Sequence, residues 1–112
     1  MNIASWLKSR LSSRDKALSL YRRGMARAEE DDHQGAIDDY TATIDMPNAP
    51  WDVKAMALYD RAVVHVAAGN HRRNGVDDFG AVLAMDKALV SLKTMARQRL
   101  TRMESRSCKS NV

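Results

Sequence analysis

The chain has 112 residues, 45% of them apolar and 29% charged, enough to bury the core of one domain but with no apolar run approaching the ~20 residues that cross a bilayer. A lone cysteine, Cys108, excludes an internal disulfide, and 5 Gly with 2 Pro exclude a loop-rich or low-complexity chain. The net charge of +4 is segregated: residues 1–30 carry seven Lys/Arg against three Asp/Glu, residues 31–86 four against ten, and residues 87–112 seven against one. Such segregation favours association between elements or between molecules and carries no information about the fold.

Ala, Leu, Met, Arg and Lys dominate, all good helix formers, so an all-α chain is expected. Residues 1–12 form an amphipathic N-terminal segment, with Ile3, Trp6, Leu7 and Leu11 on one side and Lys8 and Arg10 elsewhere. It is short for stable bilayer binding and suits packing on protein. Its early charges and the absence of a small-residue cleavage site argue against export, so a cytoplasmic protein is expected. Residues 13–49 follow as a first helix pair. Ser12-Ser13 caps a helix whose Ala17, Leu20, Tyr21, Gly24 and Ala28 share one stripe. After Asp31-Asp32 a shorter helix turns Ala36, Ile37, Tyr40 and Ile44 inward and Asp38, Asp39 and Asp45 outward, until Pro47 and Pro50 stop it. Residues 50–85 repeat the plan, with a long helix from Trp51 to about Ala68, a break at Gly69-Asn70, and a second helix from about Gly75. From Asp86 to 105 a capping helix carries Leu89, Leu92, Ala96, Leu100 and Met103 on one face, and residues 106–112 are expected to be disordered.

The two pairs are copies of each other. A shift of 38 superimposes Lys16, Ala17, Leu20, Tyr21 and Arg23 on Lys54, Ala55, Leu58, Tyr59 and Arg61, and brings Gly24 to Ala62. A shift of 39 superimposes Asp38, Asp39, Ala42 and Met46 on Asp77, Asp78, Ala81 and Met85, and brings Tyr40 to Phe79. The same shift aligns Val53, Lys54, Met56 and Ala57 with Leu92, Lys93, Met95 and Ala96.

This pattern resembles the tetratricopeptide repeat, in a divergent form with a unit of 38–39 residues. Gly24 and Ala62 stand at the family's small position in the first helix; Ala36, Tyr40 and Thr43, then Gly75, Phe79 and Val82, stand at the small, aromatic and small positions of the second. Arg23 and Arg61 depart from it by replacing a large apolar residue, and Asp31 stands where Gly69 keeps the turn glycine. The resemblance implies two tandem helix-turn-helix repeats in a short right-handed α-solenoid with a C-terminal capping helix. It further implies a concave groove lined by the first helices, at Leu18, Tyr21, Met25 and Ala28 and at Met56, Tyr59, Val63 and Val66. The family's carboxylate-clamp positions are occupied here by Tyr21, Met25, Met56 and Asp60, so that clamp is absent.

An apolar, Met-bearing groove suits a peptide or amphipathic helix of another protein. The expected role is therefore that of a scaffold or adaptor module without catalysis. Two repeats are fewer than a free-standing array usually needs, so the end helices, or a second copy in a homodimer, must cover the open faces. The alternative is a small nucleic-acid-associated regulatory protein working through Lys93, Arg97, Arg99, Arg102, Arg106 and Lys109; the absence of aromatics beside these cations favours a solvated capping face. Asp38-Asp39 and Asp77-Asp78 diverge by about 100° on a helix and cannot converge on one ion, so they are read as solvated. His33, His65 and His71 lack ligand spacing, so no metal or cofactor is expected, and Cys108 is read as an incidental thiol. No phosphate loop, nucleophile elbow or dinucleotide fingerprint occurs, and no enzymatic role is assigned.

Overall fold

The structure, a computed structural model, describes residues 12–69 and 72–110, with side chains as far as residue 106. The amphipathic segment 1–11 and the histidine at position 71 therefore lie outside the described residues, as does the side chain of Cys108. Among the described residues the chain is all-helical: α1 Ser13–Glu29, α2 His33–Asp45, α3 Trp51–Ala67, α4 Arg72–Ala84 and α5 Val90–Ser110.

Both ends of α1 and the start of α2 are set by local bonds. The Ser12 hydroxyl caps α1 by accepting from the Asp15 amide at 3.1 Å, and it donates to the Asp15 carboxylate at 2.9 Å. At the far end the Asp32 amide reaches back to the Arg27 carbonyl (2.9 Å) and the Asp31 amide to that of Ala28 (3.1 Å). This is the Schellman closure, which requires a left-handed residue. Asp31 supplies it with φ +61°, and Gly69 does the same after α3 with φ +78°. Asp31 thus adopts the conformation of the glycine it replaces; a short polar side chain tolerates that better than a branched one. Asp32 then caps α2, accepting from the Gly35 amide at 3.0 Å.

Three boundaries differ from the sequence reading. The second helix of the second pair is already formed at Arg72, three residues before Gly75, where Arg72 donates to the Met103 carbonyl of α5. The last helix starts at Val90 rather than Asp86, since Met85 to Ala88 close a turn (Ala88 amide to Met85 carbonyl, 3.2 Å) that buries Ala88. It also continues to Ser110, so residues 106–110, expected to be disordered, are helical.

α1 packs on α2, α2 on α3, α3 on α4 and α4 on α5; α3 also touches both α1 and α5, whereas α2 and α4 do not meet. α1, α3 and α5 thus form one row and α2 and α4 a second. The radius of gyration, 16.0 Å, exceeds the about 13 Å of a compact chain near this length, as expected for helices laid side by side.

The interior sets a ring against a small residue in the first pair and a ring against a ring in the second. Tyr40 (2% exposed) lies against Gly24, where a Cβ would stand 2.7 Å from its Cε1. In the second pair Gly75 sits against α3, where a Cβ would stand 2.7 Å from Val66 Cγ2, and Phe79 (1% exposed) packs edge-on to Tyr59 with centroids 5.4 Å apart. Ala36, Thr43, Ala62 and Val82 are buried as well. One apolar cluster joins Ala36, Tyr40, Ala57 and Val64, flanked by Tyr21, Ala28, Ile37 and Ile44. The other joins Tyr59, Ala62, Phe79 and Val82 to Ala96 and Met103 of α5, with Leu92 and Leu100 at its edge. α5 therefore covers the second pair, except at Leu89, which precedes the helix and is exposed.

One reading is overturned. Asp39 and Asp78 are buried, 5% and 7% exposed, while their neighbours Asp38 and Asp77 face solvent. Arg23 grips Asp39 with two bonds (3.0 and 2.8 Å), joined by Arg27 at 3.0 Å; Arg61 grips Asp78 with two bonds at 2.8 Å. These arginines occupy the positions where a large apolar residue was expected, and the inward aspartates are their counter-charges.

Candidate partner-binding face

The row α1, α3, α5 is joined through its tyrosines. Tyr21 of α1 donates to the Asp60 carboxylate of α3, and Arg99 of α5 donates from Nε to the Tyr59 hydroxyl at 3.2 Å. The two links are related by the internal shift, since Asp60 and Arg99 are 39 residues apart. At the N-terminal end of the row, Arg14 of α1 makes a bidentate pair with Asp52 of α3 (3.1 and 2.9 Å).

Burial raises the Asp60 carboxyl above the ordinary carboxylate range, with the Tyr21 hydrogen bond opposing that rise. Burial, followed by the bond to Asp60, pushes the Tyr21 phenol up in turn. Asp39 goes the other way, held below the ordinary value mainly by its hydrogen bonds from Arg23.

The residues expected to line a groove fall into two groups. Met56 and Tyr59 border a recess between α3 and α5. Its first part, about 160 Å³, is lined by Asp52, Ala55, Met56, Leu89, Leu92 and Met95. Met95 also borders a neighbouring recess of about 170 Å³ between Tyr59, Gln98, Arg99 and Arg102. Arg99 and Arg102 are shared with a third recess that reaches Val66, Met103 and Arg106. Tyr59 is buried and offers its hydroxyl and ring edge rather than an open face. On α1, Tyr21 is half-buried against Tyr40 with centroids 5.8 Å apart, Leu18 is half-buried, and Met25 is 40% exposed. Val63 is half-buried against the second cluster, so it serves the core more than a surface. Gly24, Ala36, Tyr40, Ala62, Gly75 and Phe79 are all buried between helices and hold the face from behind.

Met95, Arg99 and Arg102 were not among the expected groove residues, because α5 was read only as a cap. The alignment of Met56 with Met95 was the available signal: extended by four residues it places Arg99 opposite Asp60.

Among the described residues no group of His, Cys, Asp and Glu is placed to hold a metal ion, and no helix is long and apolar enough to cross a membrane. Comparison with family models, with curated proteins and with solved structures finds no match to this chain.

Proposed function

We propose that the chain is a cytoplasmic protein-interaction module of the tetratricopeptide type: two tandem helix-turn-helix repeats and a capping helix arranged as a short solenoid, with no chemistry of its own. In this reading it binds a peptide or helix of a partner protein along the α1, α3, α5 face. The observation that carries the reading is the recurrence of each contact at the internal repeat distance. A ring is buried at the matching position of each pair (Tyr40 and Phe79), Arg–Asp pairs with a buried aspartate follow at 23/39 and 61/78, and tyrosine links run from Tyr21 and from Tyr59. Successive first helices touch while the second helices do not meet, which supports placing the α1, α3, α5 side on the inner face of a curved array. Its apolar recess, with flexible methionines at 56 and 95, suits side chains of a partner.

The test is co-purification from the native host using the full chain beside Met56→Asp, a half-buried position whose change leaves the buried clusters untouched. A partner held by the wild type and lost by the variant, with unchanged helical content, is the expected result. A partner set identical for both chains contradicts the reading.

The nucleic-acid alternative draws on one observation: Arg97, Arg99, Arg102 and Arg106 are exposed on α5, and among the described residues no carboxylate pairs with any of them. The surroundings oppose it. The aromatics beside these cations, Tyr59 and Phe79, are both buried and packed on each other, so neither offers a stacking platform.

A further inference from the structure

The recess between α3 and α5 is not uniform along its length, and its gradient specifies an occupant. At the N-terminal end of α5 the walls are Ala55, Met56, Leu92 and Met95, with Leu89 and Met95 exposed to solvent, the latter at 46%. The carboxylate there, Asp52, is neutralised by Arg14. One turn on, the lining changes to Arg99 and Arg102, then Arg106. Arg99 is aimed by the Tyr59 hydroxyl through Nε alone, and its two terminal nitrogens have no acceptor among the described residues. Guanidinium groups in a row, exposed and without counter-charge, complement carboxylates, which they can grip with two parallel bonds.

Resting on the partner-binding reading above, we propose that this recess takes a protein segment with apolar side chains at one end and several carboxylates at the other. The apolar end lies on Met56, Leu92 and Met95, and the acidic end meets Arg99, Arg102 and Arg106. The helix sets the spacing. Met95 to Arg102 spans about 10 Å at the ~1.5 Å rise per residue, and Met95 to Arg106 about 16 Å. Arg99 lies about 6 Å from Met95, so extended chain reaches Arg99, Arg102 and Arg106 in about two, three and five residues, and the first carboxylate stands about two positions from the apolar anchor. A nucleic acid of equal charge lacks side chains for the methionine-lined end.

The experiment is fluorescence anisotropy with the full chain and a labelled nonapeptide carrying two leucines at one end and four glutamates at the other, made in both orders. A version with glutamine in place of glutamate and an oligothymidylate of similar charge serve as comparators. The proposal expects one order of the acidic peptide to bind at least tenfold more tightly than the glutamine version. It also expects at least a tenfold loss in Arg102→Glu/Arg106→Glu, and in Arg102→Gln/Arg106→Gln should the reversal disturb folding. Met95→Asp should weaken the same peptide by a comparable factor. Equal binding of the acidic and glutamine peptides overturns the acidic partner while leaving the groove reading in place. Binding of the oligothymidylate but of neither peptide, abolished by the arginine changes, overturns both. Binding of none of the three overturns the proposal.

Discussion

Gly24 and Gly80 are both helical glycines, yet they answer to opposite forces. A side chain at Gly24 runs into the Tyr40 ring, which is itself buried and cannot swing away; Gly80 has open space around it. Gly24→Val is therefore expected to destabilise by about 2 kcal/mol or more through overpacking, whereas Gly80→Ala should stabilise by about 0.5–1 kcal/mol through helix propensity. Urea midpoints of the two variants check both signs. Asp60 makes a second test of single-residue physics. Its folded pKa is raised, so ionisation above the carboxylate range costs stability, and that cost disappears as pH falls and the folded state takes up a proton. Asp60→Asn retains an acceptor for Tyr21, and is expected to melt higher than wild type at pH 7, with the gain vanishing towards pH 3. Asp39, whose folded pKa is lowered, runs the other way: Asp39→Asn should lower the melting point at pH 7 and lose that effect in acid. Residue-level features with a strong local signal were legible in the sequence. The Ser12 cap and the buried rings Tyr40 and Phe79 follow from spacing and side-chain type alone. The inward turn of Asp39 and Asp78 was not legible, because a charge on a short helix is ordinarily solvated. Only the co-occurrence of Arg23 with Asp39 and of Arg61 with Asp78 showed that each acid had a partner.

At the scale of elements, Arg61 ties the two hairpins together beside the apolar cluster that joins them. This side chain holds Asp78 of α4 and also donates to the Thr41 hydroxyl of α2 at 3.0 Å, joining three helices, and it is 20% exposed. Arg23 is 58% exposed and shares Asp39 with Arg27. Arg61→Ala, which strands a buried carboxylate, should cost about 3 kcal/mol, while Arg23→Ala should cost about 1 kcal/mol or less. Equal losses in thermal or urea unfolding would contradict this ranking. The last helix is the other decisive element. Its Ala96 and Met103 complete the second cluster, so a chain ending at residue 85 leaves Phe79, Leu83 and Met85 uncovered and is expected to aggregate or to lose cooperative melting. Retention of the full melting temperature would remove the covering role. Helix existence was readable from periodicity; helix starts were less so. The turn at Met85–Ala88 delays α5 by burying Ala88, a tertiary effect that leaves no local mark.

On the scale of the whole molecule, α1, α3 and α5 touch in succession, and α2 and α4 pack against them. The proposed face was expected on the first helices of each pair, whereas the recess lies between α3 and α5, because α5 both covers the second cluster and lines that recess. The methionines report on this directly. Met56 and Met95 line the recess, while Met46 lies at the end of α2 in the other row. Labelling the methionine methyl groups with carbon-13 and titrating the acidic nonapeptide into the full chain tests the assignment of the binding face in a single NMR series. The account predicts progressive, saturable shifts at Met56 and Met95 with Met46 unmoved. Saturable shifts at Met46 with Met56 and Met95 silent would contradict it.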